Sequence, residues 1–281
     1  MRGSGAVETL QSALPEPALT LLGVVTVLGD LPVLVGAACL ALVGLDRERG
    51  AYVFAVILGG LALLAGLKAT LALPRPDPTL HLIETASTGF PSGHALGTTV
   101  VYGTLALVID RGGSRRRRLA VAGAVVALVS LSRVALGVHY PADVVVGVLL
   151  GIAYLLAADR LTGREPSSAF RLAAALAVCG FVLGTVTGPT PYAEVVAGIA
   201  LDRDATATLG ATVGGLAAWR AIERGSPGST LVAVVLIAAG LVGYASDPHV
   251  VLRGLAAAAG TAGLVLAADR WHRSEGESGK W

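Results

Sequence analysis

Arg115-Arg116-Arg117-Arg118-Leu119-Ala120-Val121-Ala122-Gly123-Ala124-Val125-Val126-Ala127-Leu128-Val129 holds two signals that together decide the fold. Four consecutive cations lead straight into an apolar run that continues to residue 137. A helix needs about 20 apolar residues to cross the hydrocarbon core of a bilayer. Cations collect on the cytoplasmic side of such helices. The stretch therefore reads as a membrane span that starts in the cytoplasm, and the arginines mark topology rather than a nucleic-acid surface.

Apolar runs of the same kind recur at 18–44, 51–73, 94–110, 141–158, 169–187, 205–222, 230–246 and 250–268. The composition agrees: 54% of the 281 residues are hydrophobic and 14% charged, against about 25% charged in a soluble domain. This excludes a soluble globular enzyme, a disordered chain and a nucleic-acid binder. A net charge of +2 supplies no global attraction for an acidic partner. The runs show no alternation and are rich in Leu, Ala, Val and Gly, so the expected fold is all-α, a polytopic transmembrane bundle of about nine spans. The first run is too long for one straight helix. Gly29-Asp30-Leu31-Pro32 interrupts it, which predicts a half-helix or re-entrant piece followed by a span.

Connectors 46–49, 111–118, 159–171 and 220–228, with the C-terminal tail, hold 15 of the 21 Lys and Arg residues. They are expected in the cytoplasm, so 74–93 and 138–140 face outward. Cys39 and Cys179 lie far apart in separate apolar runs, which argues against a disulfide framework or zinc cluster. The N-terminus, with Pro15 and Pro17, does not read as a signal peptide, and Gly36-Ala37-Ala38-Cys39 lacks the large apolar residue of a lipoprotein site. Leu156-Ala157-Ala158-Asp159-Arg160 recurs as Leu266-Ala267-Ala268-Asp269-Arg270, which reads as a charged helix end used twice rather than as a duplication.

Ionisable residues in or beside a span are costly, so each is a functional candidate. Lys68 stands near the outer end of the second run, and Arg75 follows seven residues later inside Pro74-Arg75-Pro76. Seven residues are about two helical turns, which puts both cations on one face until the prolines end the helix. Phe90-Pro91-Ser92-Gly93-His94 precedes the next run: Ser92 suits a helix N-cap, Gly93 permits close backbone approach, and the helix start favours an anion. In Ser132-Arg133-Val134-Ala135-Leu136-Gly137-Val138-His139-Tyr140-Pro141-Ala142-Asp143, Arg133 ends one span, His139 lies in the turn and Asp143 in the first turn of the next helix. Asp143 can then fix the His139 tautomer and leave the other ring nitrogen as a nucleophile. All three clusters fall on the outer side by the charge argument. Three cations, a helix start and two imidazoles fit a phosphate that one imidazole attacks while the other protonates the departing oxygen.

Taken together, Lys68-(six residues)-Arg75-Pro76, Pro91-Ser92-Gly93-His94 and Ser132-Arg133-(five residues)-His139-(three residues)-Asp143 resemble the type 2 phosphatidic acid phosphatase superfamily. It includes membrane lipid phosphatases, glucose-6-phosphatase-like enzymes and vanadium haloperoxidases. The resemblance covers about residues 18–160. It implies that His139 is the nucleophile, forming a phosphohistidine, that Asp143 orients it, and that His94 is the general acid. It implies a phosphate-binding shell of Lys68, Arg75, Ser92, the Gly93 amide and Arg133. It implies no metal and no cofactor, and Asp77 and Glu84 read as solvated loop charges.

The expected organisation is an N-terminal segment 1–17, a phosphatase core 18–160, a cytoplasmic linker 161–168, a C-terminal extension of about four helices over 169–270 and a cytoplasmic tail 271–281. The expected activity is hydrolysis of a phosphomonoester or diphosphate of a membrane lipid, a polyprenyl diphosphate or a phosphoglycerolipid, at the extracytoplasmic face of the cell membrane. The partners are that lipid and the bilayer, without nucleic acid, and self-association is left open. Rival readings are a lipid phosphotransferase using the same site, a phosphatase of soluble phosphate esters, and a transport or scaffold protein with a vestigial core. The extension reads as a scaffold, dimerisation or lipid-shielding element, with a second lipid-handling or transport module as the alternative.

Overall fold

The structure, a computed structural model, describes residues 4–85, 87–187, 193–196, 199–225, 236–237 and 249–278. These residues are predominantly helical. Five helices are long and apolar enough to cross a membrane: α4 (Arg47–Leu71), α6 (Arg115–Ala135), α7 (Pro141–Thr162), α8 (Pro166–Thr187) and, over Val250–Ser274, α10 (Val250–Ser278). The expectation of about nine is not met among the described residues. The run at 94–110 forms the 16-residue α5 (Gly93–Val108), apolar but short. The run at 205–222 forms α9 (Arg203–Glu223), which carries Arg203, Asp204, Arg220 and Glu223 at its ends and is not among the five. The expected span at 230–246 lies largely outside the described residues.

The first apolar run is divided, as the Gly29-Asp30-Leu31-Pro32 break predicts. Helix α1 (Ser4–Ala13) meets α2 (Glu16–Val25) at Pro15, where the chain bends by 113°. A 3-10 turn over Thr26–Gly29 follows, and α3 (Leu31–Gly44) resumes after Asp30. A second departure from an all-helical chain is a short antiparallel hairpin, β1 (Ala193–Val196) with β2 (Ile199–Asp202), where the sequence reads as a connector. Val195, Val196 and Ile199 are β-branched and suit extended backbone.

The chain divides into two compact units. The first comprises residues 1–37 and 71–157, and α1 is built into its core. Val7 is fully buried against Ala95, Val134 and Val144, with Leu10, Leu80 and Val148 around them. Each of those three partners is the chain neighbour of a polar motif residue: His94, Arg133 or Asp143. Gln11 adds a side-chain hydrogen bond to the Leu80 carbonyl at 2.9 Å. Thus α1 is part of the packing beneath the motifs, which the sequence alone leaves as an undefined N-terminal segment.

The second unit comprises residues 38–70 and 158–281. Small residues let its helices approach backbone to backbone: a Cβ on Gly66 would lie 2.6 Å from the Gly180 Cα. Both copies of the Leu-Ala-Ala-Asp-Arg stretch end in an ion pair. Asp159 takes Arg164 at 2.6 Å, and the buried Asp269 takes Arg47 at 2.6 Å and Arg273 at 2.9 Å. Arg47 also stands over the Trp219 ring, 5.2 Å from its centroid. Asp202 caps α9 by accepting from the Asp204 and Ala205 amides. Cys39 and Cys179 are both free thiols.

Candidate active site

Except for Lys68, every candidate site residue named from the sequence lies in the first unit. Lys68 is in the last turn of α4 in the second unit, within electrostatic reach of Asp204 of the same unit. The helical-face argument joining Lys68 to Arg75 does not hold. Helix α4 stops at Leu71, and Ala72 takes a φ of 45°, so Arg75 belongs to a loop. Pro74 is the physical reason: it disfavours helical backbone at the residue before it and offers no amide to the ladder.

The loop carrying Arg75 is pinned by backbone hydrogen bonds from Gly89 to Leu73 (2.7 Å) and from Leu82 to Leu136 (3.0 Å). A 3-10 turn over Pro78–Leu80 sits at its tip. There Asp77 accepts from the Thr79 hydroxyl and amide, and those two bonds hold its carboxyl below the usual carboxylate range. Arg75 points inward. Its Nε and Nη2 donate to the Ser87 carbonyl (2.7 Å) and hydroxyl (3.1 Å), and Nη1 donates to the Val138 carbonyl at 2.7 Å. The same Nη1 lies 3.0 Å from His139 Nε2.

That contact assigns the His139 tautomer. A guanidinium has only donors, so Nε2 must be the acceptor and the ring proton sits on Nδ1. Nδ1 lies 3.5 Å from Asp143 Oδ2, and both side chains are buried. Asp143 Oδ2 also accepts from the Tyr140 amide at 3.0 Å, which closes the turn before α7. Gly137, at φ 77°, supplies the left-handed residue that lets the chain leave α6, and the Val138 and His139 amides return to the Arg133 carbonyl.

Ser92 caps α5, its hydroxyl accepting from the Ala95 amide at 3.5 Å, as the sequence predicts. Its own amide donates to the Asp143 carbonyl at 3.0 Å, so the starts of α5 and α7 are tied together. His94 therefore stands in the first turn of α5. Arg133, buried at the end of α6, donates from Nη1 to the Thr26 hydroxyl at 2.9 Å. His94 Nε2 lies 2.9 Å from Asp30 Oδ1.

Thr26, Asp30 and Ser87 were not among the residues singled out from the sequence. For Asp30 the signal was present: an ionisable residue within an apolar run, the criterion that marks Lys68. In the sequence, though, it marks only a chain break. Thr26 and Ser87 carry no such mark. The first unit thus assembles two imidazoles, each beside a carboxylate, with two guanidinium groups and a capped helix start.

Known proteins add a family. The PAP2 superfamily profile matches residues 49–165. Phosphatidylglycerophosphatase B of Bacillus subtilis is 35% identical over 91 residues, 31% of this chain and 44% of that protein. A decaprenylphosphoryl-5-phosphoribose phosphatase of Mycobacterium tuberculosis is 34% identical over 133 residues, 45% of this chain and 70% of that protein. No solved structure matches the chain. The motif order seen in the sequence, the residues matched and the extent of the mycobacterial likeness agree: the chain belongs to the PAP2 superfamily.

Proposed function

We propose that the protein is a membrane lipid phosphatase working through a phosphohistidine at the extracytoplasmic face. The observation that carries this is the His139 pairing. Its Nε2 lone pair lies beside the Arg75 guanidinium while Asp143 stands at Nδ1. A neutral imidazole whose lone pair accepts from Arg75 suits attack once a phosphate takes over that guanidinium, because the cation that binds the phosphate then frees Nε2 and brings phosphorus to it.

In the proposed reaction a phosphate ester docks on Arg75, Arg133, the Ser92 helix start and the Gly93 amide. His139 Nε2 forms a bond to phosphorus as the bond to the leaving oxygen breaks. His94 gives that oxygen a proton. Asp143 stabilises the cationic phosphoimidazole through Nδ1–H. Water then attacks phosphorus, His94 takes its proton, the P–N bond breaks, and inorganic phosphate leaves. The guanidinium groups and helix start supply positive charge where a metal would otherwise be needed, so the reaction is read as metal-independent.

The substrate class follows from setting and kinship. Five helices among the described residues are long and apolar enough to cross a bilayer, and the names of both relatives are those of lipid phosphate phosphatases. A phosphoglycerolipid or polyprenyl phosphate or diphosphate fits both. The Arg115–Arg118 connector and C-terminus are read as cytoplasmic, which puts loop 74–93 outside.

The test is phosphate release by purified protein from a panel of lipid mono- and diphosphates, with His139→Ala as control. Release by the wild type and none by the variant is expected. A folded wild type that releases phosphate from no member of the panel would sink the proposal.

A further inference from the structure

The chain break over Thr26–Asp30 touches the proposed site at two points, although it precedes every motif that the sequence shares with its family. Thr26 holds Arg133, and Asp30 holds His94. Gly29 makes the approach feasible: a Cβ there would lie 2.7 Å from His94 Cδ2 and 2.9 Å from Val129 Cγ1.

An Asp at a helix start usually caps amides with its side chain. Here the Asp30 backbone carbonyl accepts from Val33 and Leu34, starting α3, while the carboxylate reaches His94 instead. Its surroundings make this costly without a partner. Val27, Leu28 and Leu31, on either side, are exposed apolar residues in a chain built for lipid.

We propose that Asp30 is a positioning residue for His94, holding the ring by Nε2 so that Nδ1 is the atom that delivers and recovers the proton. The inference rests on the phosphatase reading above. A carboxylate only accepts, so His94 keeps its proton on Nε2 throughout. In the first step the imidazolium gives its Nδ1 proton to the leaving oxygen as the P–O bond breaks and the bond to His139 Nε2 forms. In the second, Nδ1 takes the proton of the attacking water as the new P–O bond forms and the P–N bond breaks. The Nε2–H···Asp30 bond survives both steps. The site then contains two His–Asp pairs of opposite sense: His139–Asp143 presents Nε2, and His94–Asp30 presents Nδ1.

The charged groups facing His94 are Asp30 from the break, Arg133 from α6 and Arg75 from the loop. Both arginines oppose an imidazolium until a phosphate anion neutralises them, whereas Asp30 favours it at all times. Acid form and bound substrate are thereby coupled.

The experiment compares wild type with Asp30→Asn, Asp30→Ala, His94→Ala and the Asp30→Ala/His94→Ala double variant, all in the full chain. Turnover is followed on a lipid monophosphate and on p-nitrophenyl phosphate against pH. Asp30→Ala should lose about 10- to 100-fold on the lipid, within the range of general-acid effects, and far less on the aryl ester. The double variant should be no slower than His94→Ala, because both changes remove one function. Removing a carboxylate makes the imidazolium easier to deprotonate. The alkaline limb on the lipid should therefore move to lower pH by about one unit in both Asp30 variants. Asp30→Asn keeps a carbonyl for Nε2–H, so it should recover part of the rate without the limb position. Equal losses on both substrates, additive losses in the double variant or an unmoved limb would overturn the proposal.

A second readout does not use turnover. The ring signals of His94, assigned in histidine-labelled protein by their loss in His94→Ala, should titrate at lower pH in Asp30→Asn than in wild type. A wild type that releases no phosphate overturns the phosphatase reading, and the His94 titration still decides the pairing. An unchanged titration in active protein overturns the pairing alone.

Discussion

The amide of Ser92 donates to the carbonyl of Asp143 at 3.0 Å, joining the starts of two helices across 51 positions. One bond therefore sets the separation between the helix start proposed to receive the phosphate and the turn that carries His139. Gly147, one turn further along α7, faces the same junction: a Cβ there would lie 2.8 Å from the Ser92 carbonyl oxygen.

Gly147→Ala is accordingly expected to push α5 and α7 apart. Overpacking of this kind costs about 1–3 kcal/mol, and activity should fall with stability. Gly123→Ala is the control, since a Cβ there meets nothing within 4 Å and alanine favours a helix. Thermal unfolding in detergent should show a lower midpoint for Gly147→Ala only.

Arg75→Lys retains the charge but not the fork that spans Ser87, Val138 and His139. Turnover on a lipid phosphate should drop by about 10²–10³-fold, the scale of losing one oriented donor to a developing anion. Steady-state kinetics on both proteins would check this. Near-wild-type turnover in the lysine variant would mean that charge alone suffices.

The two histidines should separate by substrate. His139→Ala should abolish turnover of every ester, because no covalent bond to phosphorus can form. His94→Ala should retain far more activity on p-nitrophenyl phosphate than on a lipid monophosphate, since nitrophenolate departs with little need of a proton. Trapping a phosphoenzyme in His139→Ala but never in folded His94→Ala would exchange the roles.

Activity is expected to survive chelators, and vanadate should inhibit by matching five-coordinate phosphorus at the cationic groups. The check is phosphate release with excess EDTA and with graded vanadate. Loss in chelator and rescue by magnesium would point to a metal-dependent reaction.

Orientation can be read by single-cysteine labelling in a chain whose Cys39 and Cys179 are replaced. Thr79 and Ser114 are both exposed, so cysteine at either position is accessible from its own side. Intact cells should label Thr79→Cys with an impermeant maleimide and spare Ser114→Cys. Labelling of the second from outside would invert the topology.

The sequence by itself determined the membrane character, the family and the local frame of the motifs. The Ser92 cap, the start of α7 at Pro141 and the division of the first apolar run all follow from short-range rules of capping, proline geometry and hydropathy, which act within a few residues. Tertiary structure decided what those rules cannot reach. It ended α4 before Arg75, so the arginine meets His139 through a folded loop rather than along a helix face. It put α1 into the core through Val7. It also brought Asp30 to His94 and Thr26 to Arg133 across 64 and 107 positions. Such pairings leave no periodic trace, because a hydrogen bond between distant segments depends on how helices pack and not on the residues beside either partner.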